Sequence, residues 1–150
     1  MSSVKIGFAS DHAGKELRRN IIEFVKTRGH EVTDYGIGFD VNQSVDYPDY
    51  ASMVAKAVSE GSIQKGILVC GTGLGMCITA NKFKGVRAAL LHDEFTARMA
   101  AAHNNANIIC LGSRTLNFHR ACDFTKIWLE TPFEGERHQL RINKIHQAET

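Results

Sequence analysis

Short apolar segments alternate with segments of helical periodicity along almost the whole chain, and this alternation limits the possible folds more than any other feature. Apolar runs predict five strands, at residues 4–9, 30–35, 66–70, 86–91 and 107–111. Apolar residues three and four positions apart predict helices at residues 13–28, 50–60, 93–103, 117–130 and 134–148, and a short helix that ends near residue 81. Strands that alternate with helices form βαβ units, so the sequence predicts an α/β fold.

The third predicted strand, residues 66–70, is apolar throughout. Such a run is typical of a strand in a parallel sheet that is covered on both faces. We therefore predict a Rossmann-like, doubly wound, five-stranded parallel sheet with helices on both faces and an additional C-terminal helix. At 150 residues, the chain fits a single domain that spans residues 1–150.

Composition argues against several classes of protein. No apolar run approaches the roughly 20 residues that cross a bilayer, and residues 1–5 lack a signal pattern, so we expect a cytoplasmic protein without a membrane partner. The formal net charge is only +2, which argues against a nucleic-acid partner. The four cysteines form no Cys-x-x-Cys pair and no other zinc-like spacing, so we expect no metal site.

The predicted fold indicates where a ligand should bind. In a doubly wound sheet, ligands lie beyond the carboxyl ends of the strands, where the strand order reverses. If the first and third strands are neighbours at that point, Asp11, His12 and Cys70 share one crevice. The segments that follow strands are Ser10–Gly14, Cys70–Gly75, His92–Asp93 and Gly112–Arg114.

The glycine loop, residues 71–75, is the strongest local motif. Three glycines at alternate positions let backbone N–H groups turn toward a ligand, and the helix that follows adds the positive end of its dipole. The loop therefore predicts an anion site. A dinucleotide fingerprint is a weaker interpretation, because the loop follows the third strand and lacks the Gly-x-Gly-x-x-Gly spacing. A purely structural tight turn is a further alternative.

Cys70 stands where the third strand meets this loop. A nearby helix N-terminus stabilises a thiolate, so Cys70 is a candidate base or nucleophile, with an inert buried thiol as the alternative. A base beside an anion site suits removal of a proton from the carbon next to a carbonyl. We expect Cys77, Cys110 and Cys122 to be small, buried, apolar residues.

Three further groups are candidates, each with a structural alternative. Asp11 and His12 could act as an acid–base pair, although Asp11 could instead cap a helix. Arg137 and Arg141 lie one helical turn apart and could grip a phosphate, with His138 near the same surface, or they could form a solvated basic face. The segment 103–105 ends a helix and could be a simple C-cap, with Asn105 in a left-handed conformation.

Together these segments resemble the ribose-5-phosphate isomerase type B family, which includes the galactose-6-phosphate and allose-6-phosphate isomerases. The resemblance extends over nearly the whole chain, through eight ordered motifs at residues 10–14, 46–51, 70–75, 80–83, 85–88, 103–107, 111–114 and 133–138. It implies a reversible isomerisation of ribulose 5-phosphate and ribose 5-phosphate in the pentose phosphate pathway, through a cis-enediol and without metal or cofactor.

The resemblance also implies roles for the residues of the loop. Cys70 matches the base of the family. Some members carry a serine at this position and use a glutamate at the position of Gly75, so this sequence matches the cysteine branch. Thr72 matches a hydroxyl near the reacting oxygens. The amides that stabilise the enediolate match Gly71, Gly73, Leu74 and Gly75.

Other roles follow from the same resemblance. Asp11 and His12 match sugar-binding residues, and His103 matches a residue for ring opening, with Asn104 beside it. His138 is credited with ring opening in some members, so the choice between His103 and His138 stays open. The residues that match phosphate contacts are Arg114, Arg137 and Arg141.

The family forms homodimers, often homotetramers, with active sites shared between subunits. Since His103 and Asn104 end a helix, we expect a partner subunit to supply them, together with Arg114. A six-carbon sugar phosphate, allose 6-phosphate or galactose 6-phosphate, is the alternative substrate. A non-catalytic sugar-phosphate binding module is the alternative from a different class.

Overall fold

The computed structural model describes residues 2–150 and contains the predicted alternation of strands and helices. The elements are β1 (Lys5–Ser10), α1 (Lys15–Thr27), β2 (Glu31–Asp34), α2 (Tyr47–Glu60), β3 (Lys65–Cys70), α3 (Leu74–Ala80), β4 (Ala88–Leu90), α4 (Glu94–Ala102), β5 (Ile108–Gly112), α5 (Phe118–Glu130) and α6 (Arg137–Gln147). Among the described residues, no helix combines the length and apolar character that a bilayer crossing requires.

The strands form one parallel sheet in the order β2-β1-β3-β5-β4. After β1 the chain adds β2 on one side of the sheet, and after β3 it adds β4 and β5 on the other side. The strand order therefore reverses between the neighbouring strands β1 and β3. Ser10 at the end of β1 pairs with Val69, and Cys70 at the end of β3 pairs with Gly112. The predicted α/β fold is confirmed, and the condition that the first and third strands are neighbours is met.

Both faces of the sheet are covered by helices. Along β3, Ile67 and Val69 point into a core that also contains residues of α1, α4 and α5. Leu68 and Cys70 point into a second core with residues of α2 and α3. Because successive side chains of a strand face opposite sides, Cys70 belongs to the α2–α3 side of the sheet.

Three predicted boundaries differ from the structure. Helix α2 begins at Tyr47 rather than at residue 50, because Pro48 fits the first turn of a helix, where no N–H donor is needed. Helix α6 begins at Arg137 rather than at residue 134, because Gly135 and Glu136 have positive φ angles of 70° and 50°. Strand β4 contains only the residues Ala88–Leu90 of the predicted segment 86–91.

A fully buried cation, Arg18, supports the turn that follows β1. Its Nη1 donates a hydrogen bond to Oγ of Ser10 at 2.6 Å, and its Nη2 donates to the carbonyl of Ile37. Its Nε lies 3.3 Å from Oδ1 of Asp34. These contacts join α1 to the ends of β1 and β2, directly beneath the segment that carries Asp11 and His12.

We expect Arg18→Ala to lower the free energy of unfolding by about 2–4 kcal/mol, because it leaves a cavity and removes the partner of Asp34. Arg19→Ala is the matched control, since the side chain of Arg19 is 47% exposed and its contacts, an ion pair with Glu16 and a cation–π contact with Phe39, lie at the surface. That control should change the free energy by less than about 0.5 kcal/mol. Urea unfolding of both variants checks this, and equal effects would contradict it.

Candidate active site

The segment after β1 packs directly against the end of β3. A Cβ atom built on Gly14 would lie 2.5 Å from the carbonyl oxygen of Val69, so only glycine allows this approach. Asp11 is buried, and its Oδ1 accepts hydrogen bonds from the N–H groups of Ala13 at 3.0 Å and Gly14 at 3.1 Å. These bonds close a turn before α1, whose N-cap is Gly14 and which has no side-chain cap, so Asp11 does not cap the helix. The turn holds the carboxylate beside the end of β1.

The imidazole of His12 is oriented by the loop before α2. The N–H of Val45 donates to Nδ1 of His12 at 3.1 Å. This hydrogen bond assigns the proton of the neutral ring to Nε2, because Nδ1 is the acceptor. His12 can therefore offer an N–H donor to a hydroxyl or phosphate oxygen.

Cys70 is buried at the base of the glycine loop, with only 5% of its surface exposed. Its Sγ accepts a hydrogen bond from the N–H of Gly73 at 3.2 Å, which holds the sulfur against the loop. Gly73 has a φ of 80°, and a Cβ at this position would lie 2.6 Å from Cδ1 of Leu90. Oγ1 of Thr72 accepts from the N–H of Leu74 at 3.2 Å, so the hydroxyl stays at the loop.

Tyr47 is a residue of this region that the sequence analysis did not assign to the site. A Cβ built on Gly75 would lie 2.3 Å from Cε1 and 2.8 Å from the hydroxyl oxygen of Tyr47. The tyrosine ring therefore lies against the last glycine of the loop. The motif at residues 46–51 marked the segment, but the contact itself depends on the packing of α2 against α3.

Arg114 also lies against the glycine loop of its own chain. Its N–H donates to the carbonyl of Gly71 at 2.9 Å, and its Nη1 is 3.0 Å from a Cβ built on Gly71. The guanidinium thus reaches the loop of its own chain, and a contribution of Arg114 to a partner's site stays a prediction. The residue follows β5, whose last residue pairs with Cys70, so the register of the sheet brings the guanidinium to the loop.

A second group of candidate residues gathers where α4 ends and α6 begins. The rings of His103 and His138 stack with centroids 3.9 Å apart and an angle of 15° between their planes. Oε1 of Glu134 lies 3.8 Å from Nε2 of His103 and 3.6 Å from Nε2 of His138. Burial lowers the pKa of His138, and the nearby charge of His103 lowers it further. Asn104 follows in the same turn, and Asn105 has the predicted left-handed conformation, with a φ of 45°.

The side chains of His103, Glu134 and His138 are close enough to be considered as a metal site, since their donor atoms lie within 4.8 Å of one another. A ligating imidazole holds an ion in the plane of its ring. The rings of His103 and His138 are stacked and nearly parallel, so their planes do not meet at a point close to both Nε2 atoms. A single ion therefore cannot lie in the plane of both rings. The arrangement of His103 and His138 therefore suits the exchange of protons better than the ligation of one metal ion.

Arg137 and Arg141 lie one turn apart on the exposed face of α6. With Lys144 they line a shallow cavity of about 430 Å³. The cations are thus concentrated at one surface of this helix, as a phosphate site requires.

The candidate residues form two clusters at opposite ends of the strands. The crevice cluster lies at the carboxyl ends of the strands and consists of Asp11, His12, Cys70–Gly75 and Arg114, with Tyr47 beside it. The α6 cluster consists of His103, Asn104, Glu134, Arg137, His138 and Arg141.

Two contacts place the α6 cluster at the amino ends of the strands. The N–H of Glu134 donates to the carbonyl of Ala102 at 2.9 Å, so α6 begins at the end of α4. Near the end of α6, His146 contacts Arg87, the residue before β4, at 3.1 Å. Five strand residues span about 16 Å, so the length of β5 separates the two clusters.

The cysteines outside the crevice differ in their ionisation. Burial raises the pKa of Cys110, and it raises the pKa of Cys122 to about 11. Cys77 is only half-buried, and a hydrogen bond with Cys110 is the main cause that lowers its pKa to about 7. Cys77 therefore differs from the inert apolar residue that we expected. The contact with Cys110 that lowers its pKa forms only in the folded chain, so sequence spacing does not reveal it.

Comparison with known proteins agrees with this fold and these motifs. Residues 6–145 match the Ribose/Galactose Isomerase family. The ribose-5-phosphate isomerase B of Escherichia coli is 41% identical over 145 residues, which cover 97% of this chain and 96% of that protein.

Two solved structures are similar throughout. The ribose-5-phosphate isomerase B of Clostridium thermocellum has a TM-score of 0.92 and 48% identity, with 95% of each chain covered. That of Mycoplasma genitalium, with bound ribulose-5-phosphate, has a TM-score of 0.90 and 46% identity, with 98% of this chain and 97% of that chain covered. On this evidence the chain belongs to the ribose/galactose isomerase family.

Proposed function

We propose that the chain is an aldose–ketose isomerase that interconverts ribulose 5-phosphate and ribose 5-phosphate, a step of the pentose phosphate pathway. Membership of the family supports the reaction class, and the similar structure with bound ribulose-5-phosphate supports the substrate. The observation that carries the mechanism is Cys70, whose Sγ accepts from the N–H of Gly73 at the base of an amide-rich loop.

In the proposed mechanism, the thiolate of Cys70 removes the proton from C2 of the open-chain aldose. The electron pair of that C–H bond forms the C1–C2 double bond of an enediolate, and the carbonyl oxygen takes the negative charge. The amides of residues 71–75 and the hydroxyl of Thr72 stabilise this oxygen. Return of the proton to C1, with transfer of the hydroxyl proton from O2 to O1, gives the ketose.

A free thiol also favours a reducing compartment, so we place the enzyme in the cytoplasm.

The remaining residues bind and prepare the sugar phosphate. Asp11 and His12 face the crevice beside Cys70 and are proposed to hold the sugar hydroxyls. Arg114 adds a positive charge at the loop. The phosphate is assigned to Arg137 and Arg141, and the opening of the sugar ring to the imidazoles of the α6 cluster.

Separation of the two clusters supports a homodimer with shared sites, with a tetramer as a further possible assembly. One chain carries the base at one edge of the sheet and the phosphate-binding arginines at the other. A partner subunit that brings its α6 cluster to this crevice completes each site. Exposed apolar side chains near both clusters are consistent with such contacts, since Leu74 is 53% exposed, Ile78 63% and Leu140 66%.

We expect kcat/KM to be highest for ribose 5-phosphate when it is compared with allose 6-phosphate and galactose 6-phosphate. The comparison uses one assay at one pH, with aldose loss followed by NMR. A clear preference for a hexose phosphate would instead support the six-carbon alternative.

We expect Cys70→Ala to lower kcat by at least about 100-fold while substrate still binds, because loss of a general base typically costs 10²–10⁴-fold. Cys77→Ala is the matched control, since it removes a thiol of low pKa from the neighbouring helix and should keep activity within about 3-fold. Substantial turnover by Cys70→Ala would exclude its role as base. Binding without turnover by the unaltered chain would support the non-catalytic binding module.

Shared sites predict complementation between two inactive variants. One variant is Cys70→Ala, and the other carries Arg137→Ala together with Arg141→Ala and should have a raised KM. A heterodimer of the two has one intact site, so a random mixture of subunits should recover about a quarter of the wild-type kcat/KM. Activity is measured after the variants are unfolded and refolded together. No recovery in a mixture that forms heterodimers would show that each site uses residues of one chain.

A further inference from the structure

One carboxylate lies beside both stacked imidazoles of the α6 cluster. The same oxygen atom, Oε1 of Glu134, is the near neighbour of Nε2 in both His103 and His138. Nε2 of His138 is buried and lacks a hydrogen-bond partner among the described residues. Buried polar atoms are rarely left without a partner, so this nitrogen is free to form a further hydrogen bond.

The backbone holds Glu134 in this place. Its N–H donates to the carbonyl of Ala102, the last residue of α4, at 2.9 Å. Gly135 and Glu136 then turn the chain with positive φ angles, and α6 begins. His138 follows four residues after Glu134, so its ring returns to the carboxylate. The three side chains therefore meet because of a specific turn, not through chance contact of long surface residues.

The charges around the pair favour one added proton and oppose a second. The carboxylate of Glu134 favours a protonated imidazole and raises the pKa of His138. Burial, the charge of His103, and the charges of Arg137 and Arg141 all lower that pKa. Two imidazolium rings 3.9 Å apart would repel each other strongly. One carboxylate can offset one of these charges, not two.

We propose that Glu134 is a positioning residue that keeps a single shared proton on the His103–His138 pair, so that one ring acts as acid while the other acts as base in opening the sugar. This inference rests on the proposed function. The neutral ring takes the proton of the C1 hydroxyl, and the protonated ring gives its proton to the ring oxygen as the C1–O bond breaks. The pair starts and ends with one added proton, and only the roles of the two rings are exchanged.

The ring step can be separated from the enediol step by the choice of measurement. Ribulose 5-phosphate cannot close a five-membered ring, because its 5-hydroxyl carries the phosphate. Exchange of its C1 hydrogen with deuterium from solvent requires only the enediol step at Cys70. Net conversion of ribose 5-phosphate requires ring opening as well.

The test is Glu134→Gln, which keeps the size of the side chain and removes its charge. We expect conversion of ribose 5-phosphate to fall by at least about 10-fold, while C1 exchange of ribulose 5-phosphate in D₂O stays within about 3-fold of wild type. Glu136→Gln is the matched control in the same turn and should change neither rate, and Glu134→Asp should restore part of the conversion. An equal loss in both rates, or no loss in conversion, would overturn the proposal.

A measurement without substrate separates this proposal from the proposed function. Histidine ¹⁵N NMR should show that the pair takes up one proton at a lower pH in Glu134→Gln than in wild type, because the favourable negative charge is gone. The high-pH limb of ribose 5-phosphate conversion should move to lower pH in the same direction. An unchanged titration would overturn the shared proton even if the chain is active. Failure of wild type to convert ribose 5-phosphate, with the titration as expected, would count against the proposed substrate alone.

Discussion

The pairing of β1 with β3 is the constraint on which the rest of the structure depends. The chain leaves these two strands in opposite directions, so the loops that follow them have no crossing helix between them. The close approach of Gly14 to the carbonyl of Val69 leaves these loops in direct contact. Asp11 and Cys70, which are distant in sequence, consequently face one crevice, and the register of β5 adds Arg114 to it.

The same topology also explains why the two clusters of candidate residues lie apart within one chain. Helices that follow parallel strands end at the opposite edge of the sheet, and His103 comes at the end of such a helix. Helix α6 then remains at that edge, where Arg87 holds its last turn. The reaction that we propose needs a base, a ring opener and a phosphate site together. The homodimer that we propose would bring these groups together, whereas the sheet keeps them apart within each chain.

Most of the fold could be predicted from sequence because it depends on apolar periodicity. The residues of the crevice could also be predicted from sequence, since Cys70 and the glycine loop are contiguous in the chain. The start of α6 was predicted three residues too early, because apolar spacing does not reveal the positive φ angle of Glu136. The contacts of Tyr47 and Glu134 arise only when separate helices pack together. The contact of Arg114 with the loop of its own chain was also not predicted, because it follows from strand register rather than from local pattern.

The contact between Gly75 and Tyr47 has a consequence for how this enzyme can change over evolution. The resemblance to the family implies that another branch uses a glutamate at the position of Gly75. In this chain any side chain there meets the tyrosine ring, with the first carbon only 2.3 Å from Cε1. A change of base would require the tyrosine to move before the new carboxylate could serve, so intermediates would carry a disturbed pocket. The choice of base at residues 70 and 75 is therefore coupled to the position of the Tyr47 ring.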